Sequence, residues 1–381
     1  HFSNVGVITR IEAFLNSLNH RPVEVLPKDF VLEQVDIRPC HLPAVPEKDF
    51  PLWLPPLGEY TASLTGYFRA QGVDAHALPH LSAHALSLGC AETSAKEYLP
   101  FPALLGGILA QQEADPAPAQ FLIPQTRGAE ADGQYARVIR AVLDRRGNQS
   151  AKLVSPMLET LPATAQDRDA LFRALLAGDI LYAAPAAMRA GIAAAWDTLP
   201  GWAQLHKAAV EIGRCPATGR RLATVGTPLC LTELDSGVLS TLEAEGSQLL
   251  RAPLSEALWF LWKDNMDANK PCAKWLEQMA QEMQTIGAEL GAHSTFAQDT
   301  AALFETADTI LPHFAGGNGR YRYAKAVELS GRADAVLTLA PRYENAATIL
   351  DMRGLRDACK APLFQLSLDN DWDETAWSRL R

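Results

Sequence analysis

The sequence predicts an α/β protein of two domains, each built on a parallel four-stranded sheet, with helical connecting segments between and within them. Three observations carry this. At 381 residues the chain exceeds the usual size of one domain and suffices for two ordinary hydrophobic cores. Short apolar runs alternate with segments of helical period, as in strands joined by crossover helices. The rhythm occurs twice, before and after a stretch of purely helical pattern.

Residues 1–50 form an extended lead-in, with an amphipathic helix around Ile8 to Leu18 and a proline-spaced stretch from Arg38 to Pro56. The first α/β domain, 51–182, opens on the apolar run Leu52-Trp-Leu. A helix over Glu59 to Gln71 follows, with Leu64, Tyr67 and Phe68 on one face and Gly72 ending it. Strands are expected at Asp74 to Leu78, Phe121 to Pro124 and Lys152 to Ser155, with helices at Pro102 to Gln112 and Ala136 to Arg146. Asp167 to Leu199 reads as helical, and its alanine-rich part, Ala183 to Ala195, opens a helical connection over 183–219. The second domain, 220–381, has strands at Leu222 to Pro228, Gln248 to Ala252, Ala333 to Leu339 and Pro362 to Leu368. Its helices are Leu231 to Ala244, capped by Gly246, and Asn345 to Cys359. A helical insertion at about 255–315 contains Ala273 to Leu290, whose Trp275, Met279, Met283, Ile286 and Leu290 form an apolar stripe. Right-handed crossovers make both sheets Rossmann-like or flavodoxin-like.

Composition narrows the function. The chain is 48% hydrophobic and 20% charged with eight tryptophans, which excludes a disordered protein. A net charge of -10 without a long basic run argues against nucleic acid. No apolar run approaches the ~20 residues that span a bilayer, and no signal-peptide pattern opens the chain, so a cytoplasmic protein without membrane contact is expected. The absence of Met before His1 suggests a piece of a longer polypeptide. Cys40, Cys90, Cys215, Cys230, Cys272 and Cys359 are scattered without CxxC spacing and read as buried free thiols.

Several motifs carry residue types that can support chemistry. His80 and His84 have the spacing of one helical turn, with His76 nearby, but position 81 is Leu and no acidic or cysteine partner completes a metal set. A solvated helix start accounts for them. Gly316-Gly-Asn-Gly-Arg320 precedes a helical pattern without following a strand, which favours a turn over an anion site. Cys215 and Arg221 match a CX5R count, yet the segment precedes its strand instead of following it. No GxSxG is present.

A resemblance adds a specific expectation. Ser94-Ala-Lys-Glu-Tyr-Leu-Pro-Phe-Pro-Ala-Leu-Leu-Gly-Gly107 resembles the Ser-Gly-Lys-Glu-Cys segment of the 2-hydroxyacyl-CoA dehydratase subunit family, including its fused activase-dehydratase members. Gly72 to Pro79 resembles the approach to that segment. Gly133-Gln-Tyr135 resembles the Gly-Gln-Tyr that follows the family's second cysteine, and Ala333 to Pro341 the strand before the last one.

In that family each of the three segments supplies a thiolate to an iron-sulfur cluster. Here the resemblance puts Tyr98, Glu130 and Glu344 at those positions, with Phe101 replacing a second cysteine of some relatives and Glu97, Gln134 and Tyr135 alongside. A phenol and two carboxylates are hard donors that do not replace three thiolates. No cofactor is therefore expected. The resemblance implies a noncatalytic scaffold or partner subunit for an activase or a cysteine-bearing dehydratase subunit, or a homo-oligomer. Two alternatives stand beside it: a repurposed small-molecule or metal-binding enzyme site at Tyr98, Glu130 and Glu344, taking an acyl-CoA-like ligand, or an active dehydratase component if the ligands lie elsewhere.

Overall fold

Two parallel four-stranded sheets organise the chain in the computed structural model, which describes residues 42–93, 99–126, 132–196, 198–226, 236–265, 269–310, 319–341 and 352–368. These residues belong to one compact unit, Leu42–Arg381. The first sheet contains β1 (Leu52–Leu54), β2 (Ala75–Ala77), β3 (Ala119–Leu122) and β4 (Ala151–Val154) in the order β2-β1-β3-β4. The second contains β5 (Arg221–Val225), β6 (Gln248–Arg251), β7 (Ala335–Pro341) and β8 (Leu363–Leu368) in the order β6-β5-β7-β8. All pairings are parallel, so the strands of each sheet share one carboxyl edge.

The runs are largely apolar instead of alternating because both faces of the first sheet are buried. Successive side chains point to opposite faces of a strand. Leu52, Leu54, Leu122 and Val154 enter one core, whereas Phe121, Ile123 and Leu153 enter another, with Trp53 packed against it. Helices α1 (Tyr60–Ala70) and α5 (Ala165–Ala183) build the first core. Between them in sequence come α2 (Ala83–Ala91), α3 (Pro100–Ala114) and α4 (Asp132–Arg145), and the last two supply Leu105, Ile108, Ile139 and Leu143 to the second core.

The connection consists of α6 (Ala186–Ala194) and α7 (Trp202–Gly213). The expected continuous helix past residue 183 is interrupted because Pro185 has no N–H for the ladder and serves as the N-cap of α6. The second half adds α8 (Ser236–Ala244), α9 (Leu254–Asp264), α10 (Ala273–Leu290), α11 (Thr300–Ile310), α12 (Gly319–Ser330) and α13 (Met352–Ala358). On α10 the buried stripe is Leu276, Met279, Met283, Ile286 and Leu290. Trp275 is only partly buried at its edge, with its ring edge-on to Phe172 at 5.7 Å. The amphipathic helix expected at Ile8 to Leu18, and residues 345–351 of the helix expected before β8, lie outside the described residues.

Helix α5 joins the two halves of the sequence. Its apolar residues share one core with Leu52 and Leu54 of the first sheet and with Trp259, Met283 and Tyr321 from α9, α10 and α12. Buried tryptophans find acceptors across the same core: Trp262 Nε1 donates to the Leu158 carbonyl at 2.7 Å and Trp259 Nε1 to that of Leu276 at 2.8 Å. Outside it, His206 of α7 lies between Glu282 and Glu289 of α10, at 2.6 and 2.8 Å. Burial opposes charging His206, but the two carboxylates outweigh it and raise the imidazole above its ordinary value.

Candidate functional site

Phe101 and Tyr135 are the described residues that the resemblance singles out and the fold brings together. Phe101 is in the first turn of α3, which begins at Pro100, where the missing N–H costs no helical bond. Tyr135 is in the first turn of α4. Both side chains are buried, and their rings lie 5.2 Å apart at 51°. Gly133 permits this start of α4, since a Cβ there would lie 2.4 Å from the Thr126 carbonyl oxygen. Gln134, between the two, is exposed. Glu97, Tyr98, Glu130 and Glu344 lie outside the described residues.

A second group of polar residues, not singled out from sequence, is buried between α1, α5 and α9. Asp179 of α5 accepts from the Tyr60 hydroxyl at 2.5 Å and from the backbone N–H groups of Leu254 at 2.7 Å and Ser255 at 3.1 Å. Its carboxylate thus takes up N–H groups that the first turn of α9 cannot pair within the helix. Gly178 makes room for the Tyr60 ring, because a Cβ there would meet Tyr60 Cδ1 at 2.0 Å. Burial raises Asp179 to about 6 against the opposing pull of its hydrogen bonds, and burial also holds the Tyr60 hydroxyl well above its ordinary range.

The network continues into the second half. Glu256, fully buried on α9, accepts from the Ala297 N–H at 2.6 Å and the Tyr321 hydroxyl at 2.9 Å. It also pairs with Lys325 at 2.7 Å, whose ammonium reaches Glu328 at 3.1 Å. Glu256 and Lys325 thus compensate each other's charge, the condition for retaining a charge in a core, whereas Asp179 is held, among the described residues, by hydrogen bonds alone. The group has the composition of an acid-base site, but its hydrogen bonds run to helix starts and neighbouring helices. Its chemistry is that of a joint.

No protein-family model, curated protein or solved structure matches this chain.

The remaining motifs are resolved by their surroundings. Ser82 caps α2, accepting from the Ala85 N–H at 3.1 Å, so the helix begins after His80 and the two histidines do not share a helical turn. His84 pairs with Glu113 at 3.0 Å and His76 with Asp74 at 2.9 Å. Among the described residues no group of three or more His, Cys, Asp or Glu could hold a metal ion. Cys215 precedes β5, with its Sγ 3.2 Å from Met188 Sδ, and Arg221 is the first residue of the strand, so no phosphate-binding loop follows a strand here. Gly316, Gly317 and Asn318 lie outside the described residues, while Arg320 on α12 pairs with Asp264 and Asp308. No described helix is long and apolar enough to cross a membrane.

Proposed function

We propose that this chain is a cluster-free relative of the 2-hydroxyacyl-CoA dehydratase subunits, acting as a noncatalytic scaffold or partner subunit. The observation that carries the reading is the buried contact between Phe101 and Tyr135. These aromatic rings come from two of the segments that resemble cysteine-bearing segments of the family. Rings packed against each other fill the space between two helix starts and offer an iron-sulfur cluster no thiolate.

The described donor set does not fit an iron-sulfur cluster either. Cys90, Cys215, Cys272 and Cys359 sit at separate places along the chain, and none belongs to the three matching segments. Soft thiolate ligands converging on one point are what such a cluster requires.

The strand orders β2-β1-β3-β4 and β6-β5-β7-β8 support reading 51–182 and 220–381 as flavodoxin-like or Rossmann-like domains, because each order reverses direction after its first strand. A scaffold retains such domains while losing the chemistry at their edges. The partner it implies is a subunit that keeps the three cysteines, or the activase that reduces it.

Mixing the full chain with a cysteine-bearing subunit of that family, followed by size-exclusion chromatography with light scattering, tests this proposal. A heterocomplex of defined stoichiometry at micromolar concentrations is the expected result. Separate elution of the two proteins, with each mass unchanged, removes the scaffold reading.

A further inference from the structure

We infer that a cavity at the carboxyl ends of β1 and β2 binds a small uncharged molecule with an apolar body and a single hydrogen-bonding head. It lies where Pro55 and Pro56 leave β1 and Leu78 and Pro79 leave β2, with α3 as its opposite wall. Open α/β sheets place their ligands at this edge. The inference goes beyond the scaffold reading and does not depend on it.

Size and chemistry narrow the ligand. The cavity measures about 250 Å³. An apolar protein cavity of roughly 150 Å³ holds benzene, so the larger space admits a ring with a short substituent. Ala103, Gly107 and Ala110 keep the α3 wall low, and the prolines opposite hold backbone that has little freedom to collapse inward. Among the described residues no lysine, arginine, aspartate or glutamate lines the cavity, and its one titratable side chain is His80. An ionised ligand would find no permanently charged partner among these residues, which disfavours carboxylates and phosphates inside it. Two of the polar groups on the wall are Ser82, whose hydroxyl oxygen already caps α2, and Gln111. The half-buried Gln111 carboxamide makes no hydrogen bond within the described residues, and it can both donate to and accept from an alcohol or amide head.

Titration of the full chain with benzyl alcohol, followed by saturation-transfer NMR and by thermal melting, tests the inference. Benzoate, similar in size but ionised, serves as the control. Saturable binding of benzyl alcohol with a rise in Tm is expected, and benzoate should bind at least about tenfold more weakly. Gly107→Leu extends a side chain from the α3 wall, and its Cβ has room, since it meets only Leu78 Cδ1 at 3.7 Å. This variant and Ala103→Leu should fold like the wild type and lose at least about tenfold in affinity. Absence of saturable binding to the wild type, equal binding of benzoate, or undiminished affinity in either folded variant overturns the proposal. The comparison of the two probes on the wild type decides the matter even if both variants fail to fold.

Discussion

Replacing Asp179 by alanine is expected to cost about 3 to 5 kcal/mol, because three buried donors lose their shared acceptor at once. The magnitude follows from what is left behind. The Leu254 and Ser255 N–H groups and the Tyr60 hydroxyl would lose the carboxylate they share, in a place where water does not reach. An unpaired buried donor costs about 1 to 3 kcal/mol, and three are affected. Because α1, α5 and α9 meet at this carboxylate, the loss should loosen the joint between the halves. Urea unfolding of Asp179→Ala should give a much lower midpoint, and protease cleavage should increase around residue 254.

The same residue makes stability depend on pH with a definite sign. Asp179 stands at about 6 in the folded chain against an ordinary 3.8, so folding favours its protonated form. A raised acid contributes most below its unfolded value and loses that contribution as pH rises through its folded value. Relative to Asp179→Asn, which cannot ionise, the wild type should lose about 3 kcal/mol between pH ~4 and pH ~6 and stay level above that. Paired urea titrations at several pH values measure this difference. A difference that does not change with pH would show that the carboxyl group titrates alike in the folded and unfolded chain.

Adding one methyl group at Gly89 or Gly106 should have the next largest effect. A Cβ on Gly89 would lie 1.8 Å from the Pro102 carbonyl oxygen, and one on Gly106 would lie 1.9 Å from that of Ala85. Helices α2 and α3 therefore touch backbone to backbone, and no side-chain rotation can relieve the overlap. Overpacking of this kind costs about 3 kcal/mol at the upper end of its usual range, against about 1 kcal/mol gained from alanine's helix propensity. A net loss of about 2 kcal/mol is expected for Gly89→Ala and for Gly106→Ala. The double variant should cost less than the sum, because helices already forced apart accommodate the second methyl group. Gly191→Ala supplies the contrast: a Cβ there meets nothing within 4 Å, and alanine should stabilise α6 by about 0.5 to 1 kcal/mol. Thermal melts of the four variants check the series.

The contrast between glycines shows where sequence reading stops. Gly133 is legible as part of a Gly-Gln-Tyr motif, and the structure supplies its reason in the Thr126 carbonyl. Gly89 and Gly106 carry no local sign of their contact, since each merely interrupts an apolar helix and its partner lies on another helix. Strands are legible because alternating residues of β1 and β3 enter two different cores, so each appears as a largely apolar run. The break at Pro185 follows from proline chemistry and should have divided the predicted helix there.

Asp179 gave a weak signal as the one acid in the apolar run Ala174 to Ala183, all of it buried. Its partners Tyr60 and Leu254 are 119 and 75 residues away, too remote for periodicity to connect them. The same holds for Glu256 and Lys325, which come from two helices of the second half. Of the residues expected near a former cluster pocket, Phe101 and Tyr135 meet and Gln134 faces away. The two aromatic residue types are legible in the sequence; only the fold gives the distance between the rings.

Anaerobic purification with iron and sulfide reconstitution, followed by metal analysis and visible and electron paramagnetic resonance spectra, tests the central claim most directly. A cluster-free scaffold should contain only traces of iron and no charge-transfer absorption. Stoichiometric iron and sulfide with the spectrum of a protein-bound cluster would contradict the account and restore a reductive dehydratase component, with thiolates drawn from elsewhere in the chain.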